Sequence, residues 1–114
     1  MYRPELIFRD RRLIGFDWDE GNREKCQQHG VSIVAIERMF DGEIDIRPDL
    51  AHSTHEQRFM AVAMSDGRPV FLVFTGRESA GGVLIRPVSA RHMHRKEVEL
   101  YEKTAQGIAG SEDR

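Results

Sequence analysis

Apolar residues in this chain recur with two periods, and glycines and capping residues separate the stretches. Residues 12–18 alternate loosely, with Leu13, Gly15 and Asp17 set against Ile14, Phe16 and Trp18, which predicts a first strand. Asp19 then stands where it can cap a helix over residues 20–29. Asp19 and Glu20 would lie at the positive end of its dipole, His29 in its last turn and Gly30 at its stop. Ser32 caps a second helix, in which Ile33, Ile36, Met39 and Phe40 follow at helical spacing. Val31 and Ile36 stand at the two positions of a hydrophobic staple, and Asp41-Gly42 ends the helix.

Beyond Gly42 the period changes to two. Glu43–Arg47 reads as a short half-exposed strand, Pro48 to Thr54 as a polar loop, and Glu56 to Met64 as a third strand. Ser65-Asp66-Gly67-Arg68 is a hairpin signal. Val70–Thr75 is continuously apolar and reads as a central strand. Gly81-Gly82 turns the chain into Val83–Val88, where Pro87 requires a sheet edge or a bulge because it has no N–H to donate. A last helix is expected over residues 91–104, and a tail beyond Ala105 is expected to fray. The order is βααββββα. Short hairpin connections imply an α+β fold, a mainly antiparallel sheet with helices packed on it.

The length of 114 residues suits one domain, with residues 1–11 as an N-terminal extension. A chain of this size buries roughly two-thirds of the surface its unfolded form exposes, so it needs neither metal nor disulfide to fold. Cys26 is the only cysteine, which excludes an intrachain disulfide and suits a reducing compartment. There is no apolar run of about 18 residues, as a membrane-spanning helix would need, and the start lacks the apolar core of a signal peptide. The expectation is a cytoplasmic protein. The net charge of −2 argues against a large electrostatic footprint on nucleic acid, but its distribution matters. From Arg86 to Lys96 there are four cationic residues, two histidines and no acid, and Asp41–Asp49 is correspondingly acidic.

Three groups of residues, taken in order, resemble one family. Trp18-Asp19, Lys25-Cys26 and His29-Gly30-Val31-Ser32 resemble the N-terminal hallmark of BrnT-type toxins. Glu56-Gln57-Arg58-Phe59 looks like that family's strand start. Ile85-Arg86-Pro87-Val88-Ser89-Ala90-Arg91 is similar to its C-terminal motif, followed by a helix with Glu97 and Tyr101. The similarity runs from about Phe16 to Glu102. It departs at Asn22, where many members carry a lysine, and it does not account for the segment before Arg12. The resemblance implies a RelE-like fold and a ribonuclease toxin that arrests translation. It also implies a BrnA-type antitoxin with a ribbon-helix-helix part. Through that part the complex would hold operator DNA and repress its own operon, with a toxin dimer inside a heterotetramer.

Metal-independent RNA cleavage uses the 2′-hydroxyl as nucleophile. It needs a base, a cation for the crowded phosphorane and an acid for the leaving 5′-oxygen. No cofactor is expected. Arg58, Arg77, Arg86 and Arg91 are candidates for the cation, since a guanidinium matches phosphate oxygens and stays charged. Arg91 is expected at a helix start, where backbone N–H groups also favour phosphate. The plain alternative for Arg86 and Arg91 is an ion pair with Glu56 or Glu97. His29 and Glu56 are the candidates for acid–base work, against a helix-end histidine and a strand-edge charge. Arg95 and Lys96 extend an RNA-contact strip or form a solvated helix face. His52, His55 and the His92-x-His94 pair do not have the spacing of a metal site. Trp18 and Tyr101 read as packing, and Cys26 as a small buried thiol.

The first reading is therefore an endoribonuclease with His29, Glu56, Arg86 and Arg91 at its centre and Arg58, Arg77, Arg95 and Lys96 on RNA. The alternative is a non-catalytic or weakly catalytic antitoxin-binding module that takes part in operon autoregulation. On either reading the stretch Phe16–Val31 looks mainly architectural, and Leu84–Arg91 looks like the working part.

Overall fold

A computed structural model describes residues 12–53 and 55–112, with side chains through Lys103. The expected extension before Arg12 lies outside the described residues. The elements run β1 (Leu13–Phe16), α1 (Glu20–Gln27), α2 (Ile33–Arg38), β2 (Asp45–Pro48), a 3-10 turn (Leu50–His52), β3 (Arg58–Ser65), β4 (Arg68–Ser79), β5 (Gly82–His92) and α3 (Arg95–Glu112). The expected order of strands and helices holds, and the fold is α+β. The five strands form one sheet in the order β1-β5-β4-β3-β2, antiparallel except for the β1–β5 pair.

Local chemistry explains most of the boundaries. The Asp19 side chain accepts from the Asn22 N–H and the Asn22 side chain accepts from the Asp19 N–H, a capping box at the start of α1. α1 stops at Gln27, two residues earlier than its sequence suggests, so His29 lies in the turn after the helix. The Ser32 Oγ accepts from the Ala35 N–H at 3.1 Å, and Val31 and Ile36 are both buried, as the staple requires. Asp66 and Gly67 both have positive φ, 50° and 77°, which makes the β3–β4 hairpin a type I′ turn.

Two elements differ from expectation in ways that move candidate residues. β4 and β5 stay paired as far as Ser79 and Gly82, so both strands are longer than their apolar cores. β5 also continues past Val88 to His92, and α3 starts only at Arg95, so Arg91 is a strand residue and not at a helix start. Pro87 sits at a bulge: Phe74 pairs with Pro87 and Val73 with Ser89, which leaves Val88 as the extra residue.

One face of the sheet carries the core. Phe59, Phe74 and Pro87 align across β3, β4 and β5, and Ala61, Leu72 and Ala90 form the next row. Ile46 on β2 extends that row beside Ala61, and Cys26, Val31, Ile36, Met39 and Ile44 pack against these residues. Phe40 meets Phe16 and Phe74 edge-on at 5.5 and 5.4 Å, and Phe59 stacks on Phe74. Trp18 packs against this core and donates its indole N–H to Glu37 at 2.9 Å, the packing role expected of it. Each fully buried side chain of the size of Phe74 or Leu72 contributes about 1.5–3 kcal/mol. α3 is held to the sheet by polar contacts: the Tyr101 hydroxyl donates to Asp45 on β2, and Glu97 pairs with Arg91 on β5. No helix among the described residues is long and apolar enough to cross a membrane.

Candidate functional site

The strand register sets three polar residues side by side. Arg58 on β3 pairs with Thr75 on β4, and Thr75 pairs with Arg86 on β5. Thr75 is buried, and its hydroxyl donates to the Gln57 carbonyl at 2.7 Å, so it serves as a fixed spacer between two arginines. The chain before Arg58 is equally tied down. The Arg58 N–H donates to the Ser53 Oγ at 2.9 Å, and the Arg58 carbonyl accepts from the Asp49 N–H at 2.8 Å.

Arg86 has a side chain only 22% exposed. Its guanidinium donates to Asp19 at 2.7 Å and to Asp17 at 3.3 Å, two acids that flank Trp18. They reach it because β1 runs parallel beside β5 and the Asp17 N–H donates to the Ile85 carbonyl at 2.8 Å. Asn22 completes the frame. It is buried, and its side-chain amide donates to the Asp17 carbonyl at 3.0 Å and to the Pro87 carbonyl at 2.9 Å. The Asn22 N–H and then the Arg86 guanidinium hold the Asp19 carboxyl below the usual carboxylate range, and Asp19 in turn raises Arg86 further above its already high value.

Arg58, Thr75, Arg86, Asp19 and Asn22 line a groove of about 560 Å³ between the start of α1 and strands β3–β5. Glu56, Arg58, Thr75 and Arg86 form its sheet side; Asp19, Glu20, Asn22 and Lys25 form its helix side. Glu56 is ion-paired with Arg77 on the neighbouring strand. The groove thus brings three carboxylates, two guanidiniums and an ammonium together, a set able to take a proton and to hold a phosphate.

Of the residues singled out in the sequence, Glu56, Arg58 and Arg86 meet at this groove, and Arg77 stands beside it through Glu56. His29 is exposed in the turn after α1 and does not line the groove. Arg91 does not line it either. Both of its terminal nitrogens donate to Glu97, at 2.6 and 2.7 Å, and its guanidinium lies 5.1 Å from the Phe71 ring centre. Its expected ion pair with Glu97 is present, whereas Arg86 pairs with Asp17 and Asp19 and not with Glu56. Arg95 is 94% exposed and Lys96 is exposed, both at the start of α3 and away from the groove lining. His52 Nδ1 lies 3.0 Å from Asp49, and no group of three metal-ligating residues occurs among the described residues. Cys26 is fully buried, and burial pushes its thiol up to about 11, which makes it inert.

Sequence reasoning missed Asp19, Lys25 and Thr75 as groove residues, and Asp17 as a second partner of Arg86 behind it. Asp19 was legible as a cap, but its second partner lies 67 residues away. Thr75 looked like the end of an apolar strand, and only the register sets it between two arginines.

A search of the curated proteins returned no match. The family model described as ribonuclease toxin, BrnT, of type II toxin-antitoxin system matches residues 18–97. That span is well over half of the chain and carries the whole groove lining, from Asp19 through Glu56, Arg58, Thr75 and Arg86 to Val88. By that extent of match the protein belongs to the BrnT family of ribonuclease toxins of type II toxin–antitoxin systems.

Proposed function

We propose that the groove is the site of a metal-independent endoribonuclease that cleaves RNA and arrests translation. The observation that carries this reading is the convergence of Glu56 with the Arg58–Thr75–Arg86 row on one groove. Glu56 takes the proton of the 2′-hydroxyl. The 2′-oxygen attacks the adjacent phosphorus, the P–O5′ bond breaks, and the products are a 2′,3′-cyclic phosphate and a 5′-hydroxyl. Arg58 and Arg86 sit on either side of Thr75 to stabilise the charge that develops on the phosphorane. Arg77 orients Glu56. Lys25, across the groove, is placed to hold the RNA backbone or to protonate the leaving oxygen.

As a type II toxin the chain has a protein antitoxin. We infer that this partner is of the BrnA type, that operator DNA is bound only through it, and that a toxin dimer sits within a heterotetramer in the cytoplasm. The test is cleavage of RNA by the purified chain in EDTA. Wild type yields cyclic-phosphate ends, and Glu56→Gln lowers the rate about 100-fold. A wild-type chain that binds its antitoxin but leaves RNA intact would favour the binding-module alternative.

A further inference from the structure

We infer that Asp19 is a positioning residue for Arg86, holding the guanidinium at the groove wall beside Thr75 and Arg58. This rests on the groove being the ribonuclease site.

A flexible arginine side chain can approach a phosphate from many directions, and rate depends on the one geometry that fits the transition state. Arg86 is restrained from the side of α1. Asp19 accepts from it at 2.7 Å, the length of a charge-assisted bond, while Asp17 provides a second contact at 3.3 Å. The Asp19 carboxylate is itself immobilised. Its other oxygen accepts the Asn22 N–H at 2.9 Å, and the Asp19 N–H donates back to the Asn22 side chain at 2.7 Å. Asn22 then donates to the carbonyl of Pro87, the residue next to Arg86. The carboxylate and the strand that bears the arginine are therefore fixed to the same buried residue, the first through its backbone N–H and the second through its side-chain amide.

An arginine that served only to attract RNA would be better left without acids. Two carboxylates beside Arg86 weaken its pull on a ground-state phosphate, which every RNA carries. What they supply is a fixed direction, and that matters only when charge builds up on the reacting oxygens. Asp19 therefore acts on the turnover step and against substrate binding, and the two effects have opposite signs in an experiment.

The variant that separates them is Asp19→Asn. Asparagine is as good a helix cap as aspartate, so α1 keeps its start while the carboxylate on Arg86 is lost. Cleavage of a fluorescence-quenched oligoribonucleotide of mixed sequence reads both parameters. The expected result is kcat lowered at least about 10-fold with KM unchanged or lower, and thermal unfolding close to wild type. Asp19→Ser, which also caps, should behave alike and guards against a folding defect in the first variant. Combining Asp19→Asn with Arg86→Lys should be no slower than Arg86→Lys alone. If Asp19→Asn and Asp19→Ser leave kcat unchanged while Arg86→Ala lowers it, the positioning role is overturned and the groove reading stands. If Arg86→Ala also leaves cleavage unchanged, both fall.

Discussion

Arg86 and Arg91 lie five residues apart on the same strand, both are ion-paired, and both face the same side of the sheet. On a regular strand an odd spacing would set them on opposite faces. The bulge at Val88 absorbs one residue, so Arg86 stands opposite Thr75 and Arg91 opposite Phe71, two residues of β4 that share a face. From there they diverge. Arg91 gives both terminal nitrogens to one carboxylate six residues further on, over an aromatic ring. Glu97 also accepts from the His94 N–H at 2.8 Å, so this pair closes the first turn of α3. Arg86 divides itself between two acids 67 and 69 residues away, level with a second arginine. Neither charge nor pairing separates Arg86, the arginine proposed to act on RNA, from Arg91. The separation lies in whether the pair is local and closed, or distant and set among other groups that can act on the same ligand.

Three perturbations bear on that contrast. The largest strikes the frame on the Arg86 side. Gly82 lies where β5 runs beside the chain entering β1, at φ 154°, and a Cβ there would stand 2.2 Å from the Arg12 carbonyl oxygen. Gly82→Ala must push β1 off β5 and carry Asp17 and Asp19 away from Arg86. A loss of about 2–4 kcal/mol in denaturant unfolding is expected, with RNA cleavage reduced in whatever folds. Unchanged stability and unchanged cleavage would show that parallel pairing with β1 is not what sets the groove.

The second perturbation compares the two arginines directly. Arg86→Ala should slow cleavage on the order of 100-fold, the size usual for a lost donor to a developing oxyanion. Arg91→Ala should leave the rate within about 3-fold of wild type, because its guanidinium is committed to Glu97. Equal losses in the two variants would erase the distinction drawn from their surroundings.

Local signals made much of the fold legible before any coordinates. Asp19, Ser32 and the Asp66-Gly67 turn each dictate a backbone geometry through their own chemistry, and each is found as expected. Glycine at 81 and 82 and proline at 87 were also informative, but they under-reported strand length. The polar ends of β4 and β5 are held by pairing with each other, which no single segment reveals. The groove was legible only in part for the same reason. Glu56, Arg58 and Arg86 drew notice as charges near apolar strands, while Asp17 and Asp19 looked purely architectural because the residue they serve is distant in sequence. His29 drew notice for its titration range, yet the early stop of α1 leaves it in an exposed turn. Arg91 was misplaced by a wrong helix boundary: two residues of strand and two of connection precede α3 where a helix start was expected.

The smallest effect tests the Arg91 side. Two hydrogen bonds from Arg91 and the His94 N–H pull the Glu97 carboxyl from an ordinary value of 4.5 down to about 2. A carboxyl whose value is lower in the folded chain stabilises that state wherever the unfolded chain would also be ionised, above about 4.5, and the contribution disappears as pH falls through about 2. The pair is partly solvent-exposed, so its worth is about 1 kcal/mol or less. The stability difference between wild type and Glu97→Gln should therefore be constant from pH 8 to pH 5 and shrink below that, read from denaturant midpoints at each pH. Cleavage at neutral pH should not change in this variant, since the bond it removes fastens α3 and does not line the groove. A difference that persists undiminished at pH 3, or a rate that falls with it, would mean that Arg91 and Arg86 are more alike than their surroundings indicate.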